Sequence, residues 1–399
     1  MTDFPYHQLR RYPDIEAPNL QAHDATDTLL VREALRIYEA RQQHEQQAAT
    51  QPPVVIGDRY GAIALALQHA GIADIRVHHD DETGRRALAA NARMLGMQTP
   101  TMGDLDADLL AGATLVIVQL PTVLSALEEI ADAIARWADP AVTVIAGGRV
   151  KHMTLGQNDI LARYFHRVQP QRAERKSRLV IASDARPVAP QPPFPTNETH
   201  TLPGVTQPVT LYAYGGVFAG PRLDIGTRVL LDCLPRLRRE YASDRRAAAT
   251  STMPLTAVDM GCGTGALAVA FALQHPDATV WATDRSAAAV RSTRATVRGQ
   301  QLEHRIIVTL DDAGSRLPEA RADIVLLNPP FHVGASVHEG AGRRLIEASG
   351  RLLAPGGQIW TVFNSHLDHK QALTALVGPT EQIHRTPKFT VTRTVLRAK

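Results

Sequence analysis

Short apolar runs rich in β-branched residues alternate along this chain with alanine-rich stretches at helical spacing. The runs VVI from Val54, LVIVQ from Leu115, ATVWATD ending at Asp284 and ADIVLLN from Ala322 each read as buried strands. Strands that alternate with helices predict βα units and parallel sheets, so both halves of the chain read as α/β. Between the halves, residues 183 to 208 hold Pro187, Pro190, Pro192, Pro193, Pro195, Pro203 and Pro208. That density opposes helix and strand interiors alike and reads as a linker. The expected division is therefore 1–182, a linker 183–208, and 209–399.

The halves also read as a repeat. At a constant offset of 204 residues, VVIGDRYGAIALAL from Val54 lies over VDMGCGTGALAVA from Val258. Gly57 then meets Gly261, Gly61 meets Gly265 and Asp80 meets Asp284, without a gap. Further on, LVIVQLP resembles DIVLLNPP and sets Gln119 opposite Asn328. In the N-terminal copy Arg59 replaces the middle glycine, and Asn-Pro-Pro-Phe has become Gln-Leu-Pro-Thr. That half is expected to have lost both ligand and chemistry.

A length of 399 residues suits two domains, and 44% hydrophobic with 21% charged residues excludes global disorder. No apolar run is long enough to span a membrane, and the N-terminus lacks the apolar stretch of a secretory signal, so a cytoplasmic protein is expected. Cys233 and Cys262 are the two cysteines, without metal-ligand spacing, so neither a disulfide framework nor a structural metal is expected. His366 and His369 lack a third ligand, and His332 reads as a loop-positioning residue. The net charge of +3 names no partner, but its distribution does more. Lys151, Arg163, Arg167, Arg172, Arg175, Lys176 and Arg178 face only Asp159 and Glu174 in their segment, a cluster suited to phosphates or to plain solvation.

VDMGCGTG, from Val258 to Gly265, sits where a buried strand turns into a helix. Gly261, Gly263 and Gly265 permit unusual dihedrals there and let a ligand approach backbone amides at the positive helix end. Gly261, Gly263 and Ala266 also satisfy the dinucleotide pattern, so a nicotinamide oxidoreductase is an alternative. Asp259 at the strand end would repel a pyrophosphate and welcome a cationic amino-acid group, which favours S-adenosylmethionine. Asp284 ends the next strand and suits ribose hydroxyls. Asp312, with Asp311 as an equally legal candidate, suits the adenine amine. Helix capping or loop solvation is the plain reading of all these carboxylates.

The strand ADIVLL ends in Asn328, Pro329, Pro330 and Phe331 at the carboxyl edge of the sheet, where open α/β folds bind ligands. An exocyclic amine on a planar base is a poor nucleophile because its lone pair is delocalised. The Asn328 side-chain oxygen and the Pro329 carbonyl can accept its two hydrogens and draw the nitrogen toward tetrahedral geometry. Pro330 helps fix that carbonyl, and Phe331 can stack on the base. Asn328 is thus expected to serve both substrate and cofactor. Methylation of a protein glutamine, or of adenine or cytosine in DNA, is an alternative use of the same tetrapeptide, as is a noncatalytic RNA-binding assembly protein.

On these residues the chain resembles the bacterial ribosomal RNA guanine-N2 methyltransferases, most of all the large-subunit type, with the small-subunit type second. The resemblance runs through VVIGDRYGAIALAL, IVQLPTVLSALEE and VIAGGRVKHM in the first half. In the second it runs through VFAGPRLDIGTRVLL, VDMGCGTG, LLNPPFHVG and FNSHLDHKQAL. It implies two tandem Rossmann-like class I methyltransferase domains, the N-terminal one degenerate and helping to hold RNA. The C-terminal one would use S-adenosylmethionine on a guanine amine in ribosomal RNA, without metal or membrane and as a monomer. Asp224 and Thr227 match a family element beside the cofactor's amino-acid end. The loop from Val333 to Gly342 and the proline-rich linker depart from the family's pattern.

Overall fold

The computed structural model describes residues 3–44, 51–247, 254–329 and 337–397. The chain divides into two units, Met1–Phe194 and Pro195–Lys399, each built on a seven-stranded sheet.

In the first unit the strands are β1 (Val54–Ile56), β2 (Arg76–His78), β3 (Thr101–Met102), β4 (Leu115–Gln119), β5 (Thr143–Arg149), β6 (Phe165–Pro170) and β7 (Ser177–Ala185). Its helices are α1 (Ala25–His44), α2 (Ala64–His69), α3 (Glu82–Met94), α4 (Ala107–Leu110), α5 (Leu124–Trp137) and α6 (Leu155–Tyr164). The second unit opens with a hairpin of β8 (Thr196–His200) and β9 (Val209–Ala213). Its main sheet has β10 (Thr256–Met260), β11 (Thr279–Asp284), β12 (Ile306–Leu310), β13 (Ala322–Leu327), β14 (Leu353–Asn364), β15 (Thr380–Arg385) and β16 (Phe389–Val395). The helices are α7 (Ile225–Ala247), α8 (Ala266–Gln274), α9 (Ala287–Gly299), α10 (Val337–Leu352) and α11 (His369–Leu376).

The sheet orders are β3-β2-β1-β4-β5-β7-β6 and β12-β11-β10-β13-β14-β16-β15, the same topology twice. Five strands of each run parallel, and the last two pair antiparallel. The expected α/β architecture and its duplication are thus both present. In each sheet the order reverses beside the first strand, between β1 and β4 and between β10 and β13. Such a switch point opens a crevice outside the carboxyl ends of the strands.

Alternation along the strands explains why the sheets are covered on both faces. In β13, Ile324 and Leu326 join one core with Phe271 of α8 and Leu230 of α7, while Val325 and Leu327 join another with Ile346 and Leu352 of α10. Each such fully buried side chain contributes roughly 1.5–3 kcal/mol. No described helix is long and apolar enough to cross a membrane.

The linker expectation needs adjustment at both ends. β7 runs on to Ala185, and β8 occupies Thr196–His200 inside the stretch 183–208. The prolines from Pro187 to Pro195 fall between these strands. β8 itself contains none, so its N–H groups remain available to pair with β9.

Candidate active site

The glycine loop leaves β10 at Met260 and enters α8. Gly261, Gly263 and Gly265 have φ of +79°, +56° and +82°, a region that strains any residue with a β-carbon. A Cβ added at Gly261 or Gly263 would meet no described atom within 4 Å, so the backbone there faces open space in which a ligand can lie. At Gly265 it would stand 2.9 Å from Thr293 Cγ2. The third glycine is therefore a packing requirement. The Thr293 hydroxyl also donates to Gly263 O at 3.0 Å and contacts Cys262 Sγ at 3.2 Å, which holds the loop from α9. Burial pushes the Cys262 thiol well above its usual range, leaving it unreactive.

Four carboxylates lie at or just after the ends of the neighbouring strands. Asp259 is buried, and its Oδ2 accepts from Ala268 N–H of α8 at 3.0 Å. The side chain thus turns into the first turn of α8 rather than projecting outward from the strand end. Its Oδ1 is buried without a hydrogen-bond partner among the described residues. Burial lifts its pKa to about 7, and the neighbouring Asp284 adds to the rise. Asp284 accepts from Gly263 N–H at 3.0 Å and from Ser286 N–H at 2.9 Å, bracing the loop against the start of α9. Asp311 and Asp312 part company. Asp311 caps its own turn, accepting from Ser315 Oγ at 2.6 Å and Arg316 N–H at 2.7 Å, whereas Asp312 pairs with Arg344 of α10.

Across the switch point, Asn328 follows β13. Its Nδ2 donates to Thr227 Oγ1 at 2.9 Å and lies 3.4 Å from Asp224 Oδ2. Asp224 caps α7 by accepting from Gly226 and Thr227 N–H. Asn328 Oδ1 is buried and has no hydrogen-bond partner among the described residues. A buried amide oxygen left unpaired costs about 1–3 kcal/mol, and a ligand's N–H would recover that cost. Pro329 is buried, while Pro330, Phe331 and His332 lie outside the described residues. His366 is exposed, and His369 opens α11 edge-on to Phe363. Open backbone at two glycines, an unpaired buried carboxylate oxygen and an unpaired amide oxygen fit a group that carries a nucleoside and a cationic end.

The first unit repeats this layout with its openings filled. Gly57 N–H donates to His78 O as Gly261 N–H donates to Thr283 O, both at 2.9 Å or less. His79, not Asp80, is therefore the counterpart of Asp284, and the gapless offset slips by one residue. His79 Nδ1 accepts from Asp81 N–H at 2.9 Å, the contact Asp284 makes with Ser286. Burial holds its imidazole down to about 4 and so neutral. Asp58, in the loop itself, accepts from the N–H groups of Ile63, which caps α2, and of Ala64, its first residue, and fills that helix end with the chain's own carboxylate. The N-terminal segment closes over this loop, with Tyr60 OH donating to Asp14 and Asn91 bridging Arg10 and Tyr60.

The comparisons with known proteins match both units. Residues 1–186 match the RLMG N-terminal domain and residues 208–393 the Methyltransferase small domain. A protein of Pseudomonas aeruginosa named ribosomal RNA large subunit methyltransferase G is 32% identical, covering 98% of this chain and 97% of its own. One of the same name from Ectopseudomonas mendocina is 30% identical over 98% and 97%. The chain belongs to the ribosomal RNA large subunit methyltransferase G family. Among solved structures, a T. thermophilus 16S rRNA N2 guanine methyltransferase with AdoMet and guanosine has a TM-score of 0.72 at 19% identity. It covers 98% of this chain and 99% of its own, which shows a shared fold.

With the methyltransferase G family in place, the residues that sequence reasoning passed over stand out. Gly226 was not singled out, although a Cβ there would approach Asn328 Oδ1 at 3.3 Å. Nor was Asp58, whose signal was an acid inside a glycine loop just before a helix. Asp24 and Asp27 repeat the spacing of Asp224 and Thr227 and were also missed.

Proposed function

We propose that this chain transfers a methyl group from S-adenosylmethionine to the exocyclic N2 amine of a guanine in large-subunit ribosomal RNA. Its membership of a ribosomal RNA methyltransferase family supports the enzyme class and the cofactor. The observation that carries the site is Asn328 Oδ1, buried and unpaired at the end of β13 across the switch point from the glycine loop.

The cofactor, when bound, supplies an electrophilic methyl on a sulfonium centre. The protein positions the base. Asn328 Oδ1 and the Pro329 carbonyl accept the two amine hydrogens, which localises the nitrogen lone pair. Pro330 and Phe331 complete that loop, the aromatic ring holding the base by stacking. The amine loses its extra proton to solvent after transfer, so no strong base is needed. Gly261 and Gly263 would let the cofactor lie against backbone while Gly265, packed on Thr293, holds the loop in shape; Asp259 would serve the cofactor's cationic end, Asp284 its ribose hydroxyls and Asp312 its adenine amine. Asp312 is preferred to Asp311 because both oxygens of Asp311 are engaged in its own turn.

The first unit, with Asp58 filling its loop and His79 where the ribose acid would stand, binds RNA rather than cofactor. Exposed Lys151, Arg167, Arg172, Arg175, Lys176 and Arg178 supply its phosphate contacts. A ribosomal RNA substrate supports a cytoplasmic location.

The test is transfer of labelled methyl to ribosomal RNA extracted from a strain lacking this protein, with mass mapping of the product. Labelled N2-methylguanine is expected. Cofactor binding without any label in that RNA, or label on another base, rejects the reading.

A further inference from the structure

An asparagine side chain has nearly the same shape after its amide is turned over, so whatever presents Oδ1 rather than Nδ2 to a ligand must act through hydrogen bonding. At Asn328 the deciding neighbours lie on the start of α7. A carboxylate oxygen only accepts, and Asp224 Oδ2 lies 3.4 Å from Nδ2. Turning the amide over would set Oδ1 against that carboxylate, two acceptors face to face. Thr227 Oγ1, at 2.9 Å, accepts the better hydrogen bond and fixes the plane of the group. Thr227 is itself buried, so water does not compete for that contact. Asp224 is held in turn by the Gly226 and Thr227 N–H groups that it caps.

We propose that Thr227 and Asp224 are positioning residues that lock the Asn328 amide with its oxygen available to the guanine amine. This rests on the assignment of Asn328 as the acceptor of that amine. With the lock in place, Oδ1 receives one amine hydrogen without reorganisation. Without it the amide rotates, and in the turned-over state the Nδ2 hydrogens oppose those of the amine.

The test uses the full-length protein with Thr227→Val, which keeps the shape and removes the acceptor, and Thr227→Ser, which restores the hydroxyl. A small misplacement of a reacting group costs on the order of 100-fold, so the saturated methylation rate of Thr227→Val should fall about 30-fold to 100-fold. Cofactor Kd by calorimetry and KM for RNA should stay within about twofold, and Thr227→Ser should recover most of the rate. A second readout needs no turnover. In cofactor-free protein labelled with ¹⁵N-asparagine, the Asn328 side-chain N–H signals should exchange slowly with water in wild type and Thr227→Ser, and faster in Thr227→Val.

A Thr227→Val enzyme with wild-type rate and unchanged amide exchange overturns the proposal. So does a cofactor Kd raised tenfold with the saturated rate intact, since Thr227 would then contact the cofactor. Asn328→Ala separates the two levels. If it methylates at the wild-type rate, the assignment of Asn328 itself fails. If it is inactive while Thr227→Val is normal, only the lock fails.

Discussion

Gln119 donates its side-chain Nε2 to Asp27 Oδ1 at 3.0 Å in the first unit. It is the counterpart of the Asn328 to Thr227 contact in the second, with both partners changed together. Asp24 stands to Asp27 as Asp224 stands to Thr227, and in each case the first acid accepts N–H from the residue two positions on. A hydroxyl has been replaced by a carboxyl and an asparagine by a glutamine, and the donor to acceptor contact survives. What changes is the charge state. Burial lifts Asp27 to about 8, with Asp58 nearby adding to the rise. The first unit has thus kept the framework of the site while filling it with buried acids, of which Asp27 stays protonated at neutral pH and Asp58, lifted to about 6, does not.

That burial makes stability depend on pH in a defined direction. The native pKa of Asp27 lies above the unfolded value, so its contribution is full below about pH 4 and is lost as pH rises toward about 8. Asp58, lifted to about 6, loses its part over the lower portion of the same range. His79 opposes them, because its depressed pKa of about 4 makes acid conditions unfavourable below the ordinary imidazole range. Asp259 in the second unit, lifted to about 7, acts in the same direction up to that pH, so Asp27 is isolated between about pH 7 and pH 8, where stability should fall by up to about 1.4 kcal/mol per pH unit. Thermal unfolding followed across that window checks this. Asp27→Asn should flatten the slope, and an equally steep slope in the variant would assign the effect elsewhere.

A second expectation concerns the turn between β6 and β7. Glu174 and Ser177 exchange both backbone hydrogen bonds at 2.8 Å, and between them Arg175 and Lys176 have φ of +48° and +63°. Two left-handed residues make the type I′ pattern, which favours Asn-Gly, whereas this chain places two exposed cations there. The double substitution Arg175→Asn with Lys176→Gly should relieve strain of about 1 kcal/mol and raise the melting temperature. The same change should weaken RNA binding and reduce its salt slope by about 1 to 2. Filter binding over a salt series and calorimetric unfolding measure both. A variant that is stabilised and binds RNA with an unchanged slope would remove this hairpin from the RNA surface.

The difference between what the chain's pattern discloses and what it hides is visible in particular residues. The glycine loop is legible because positive φ at Gly261, Gly263 and Gly265 admits few other residues. The Gln119 to Asn328 equivalence is legible because Val118 and Leu327 hold the same register beside β1 and β10. The Asp80 to Asp284 match fails because a one-residue slip moves every side chain in a strand to the other face, and it takes the strand registers and the backbone bonds of Gly57 and Gly261 to disclose it. Asp259 looked outward in the sequence because nothing in a linear pattern says that a strand-end carboxylate will fold back onto the helix that follows. Asp27 and Asp58 stayed hidden for a related reason. Burial of acids is unusual enough that polarity alone assigns them to solvent.

Asp259 offers a way to separate capping from cofactor binding. Asn in its place can still accept Ala268 N–H through one oxygen, so the start of α8 keeps its cap. It cannot carry charge. Asp259→Asn should therefore leave the melting temperature nearly unchanged and weaken S-adenosylmethionine by about tenfold, the effect of about 1.4 kcal/mol of lost attraction. The carboxyl is held up to about 7 in the cofactor-free protein, so a cationic ligand should release a proton on binding. Affinity should then tighten as pH rises toward 7 and level off above it. Calorimetry in buffers of different ionisation enthalpy detects the proton. Equal affinity and no pH dependence in wild type and variant would leave Asp259 a helix cap alone.

Gly226 provides the most local test of how closely the Asn328 oxygen is held. It is the second residue of α7, where alanine normally stabilises a helix by about 0.5–1 kcal/mol relative to glycine. Its place in space argues the other way. An added Cβ would stand 3.3 Å from Asn328 Oδ1, 3.2 Å from Asp224 Oδ1 and 3.2 Å from Phe389 Cε1. Each neighbour must yield by a few tenths of an ångström, and among the described residues the amide of Asn328 has only its hydrogen bonds to Thr227 and Asp224 to resist the push. Gly226→Ala should therefore retain or slightly raise the melting temperature while slowing methyl transfer about tenfold, because displacement of a reacting group by a fraction of an ångström is costly to rate but not to folding. Rate and unfolding measured on the same preparation decide it. Wild-type activity in a stabilised Gly226→Ala protein would mean that the Asn328 oxygen has room to move without consequence, and that its placement is not what limits the reaction.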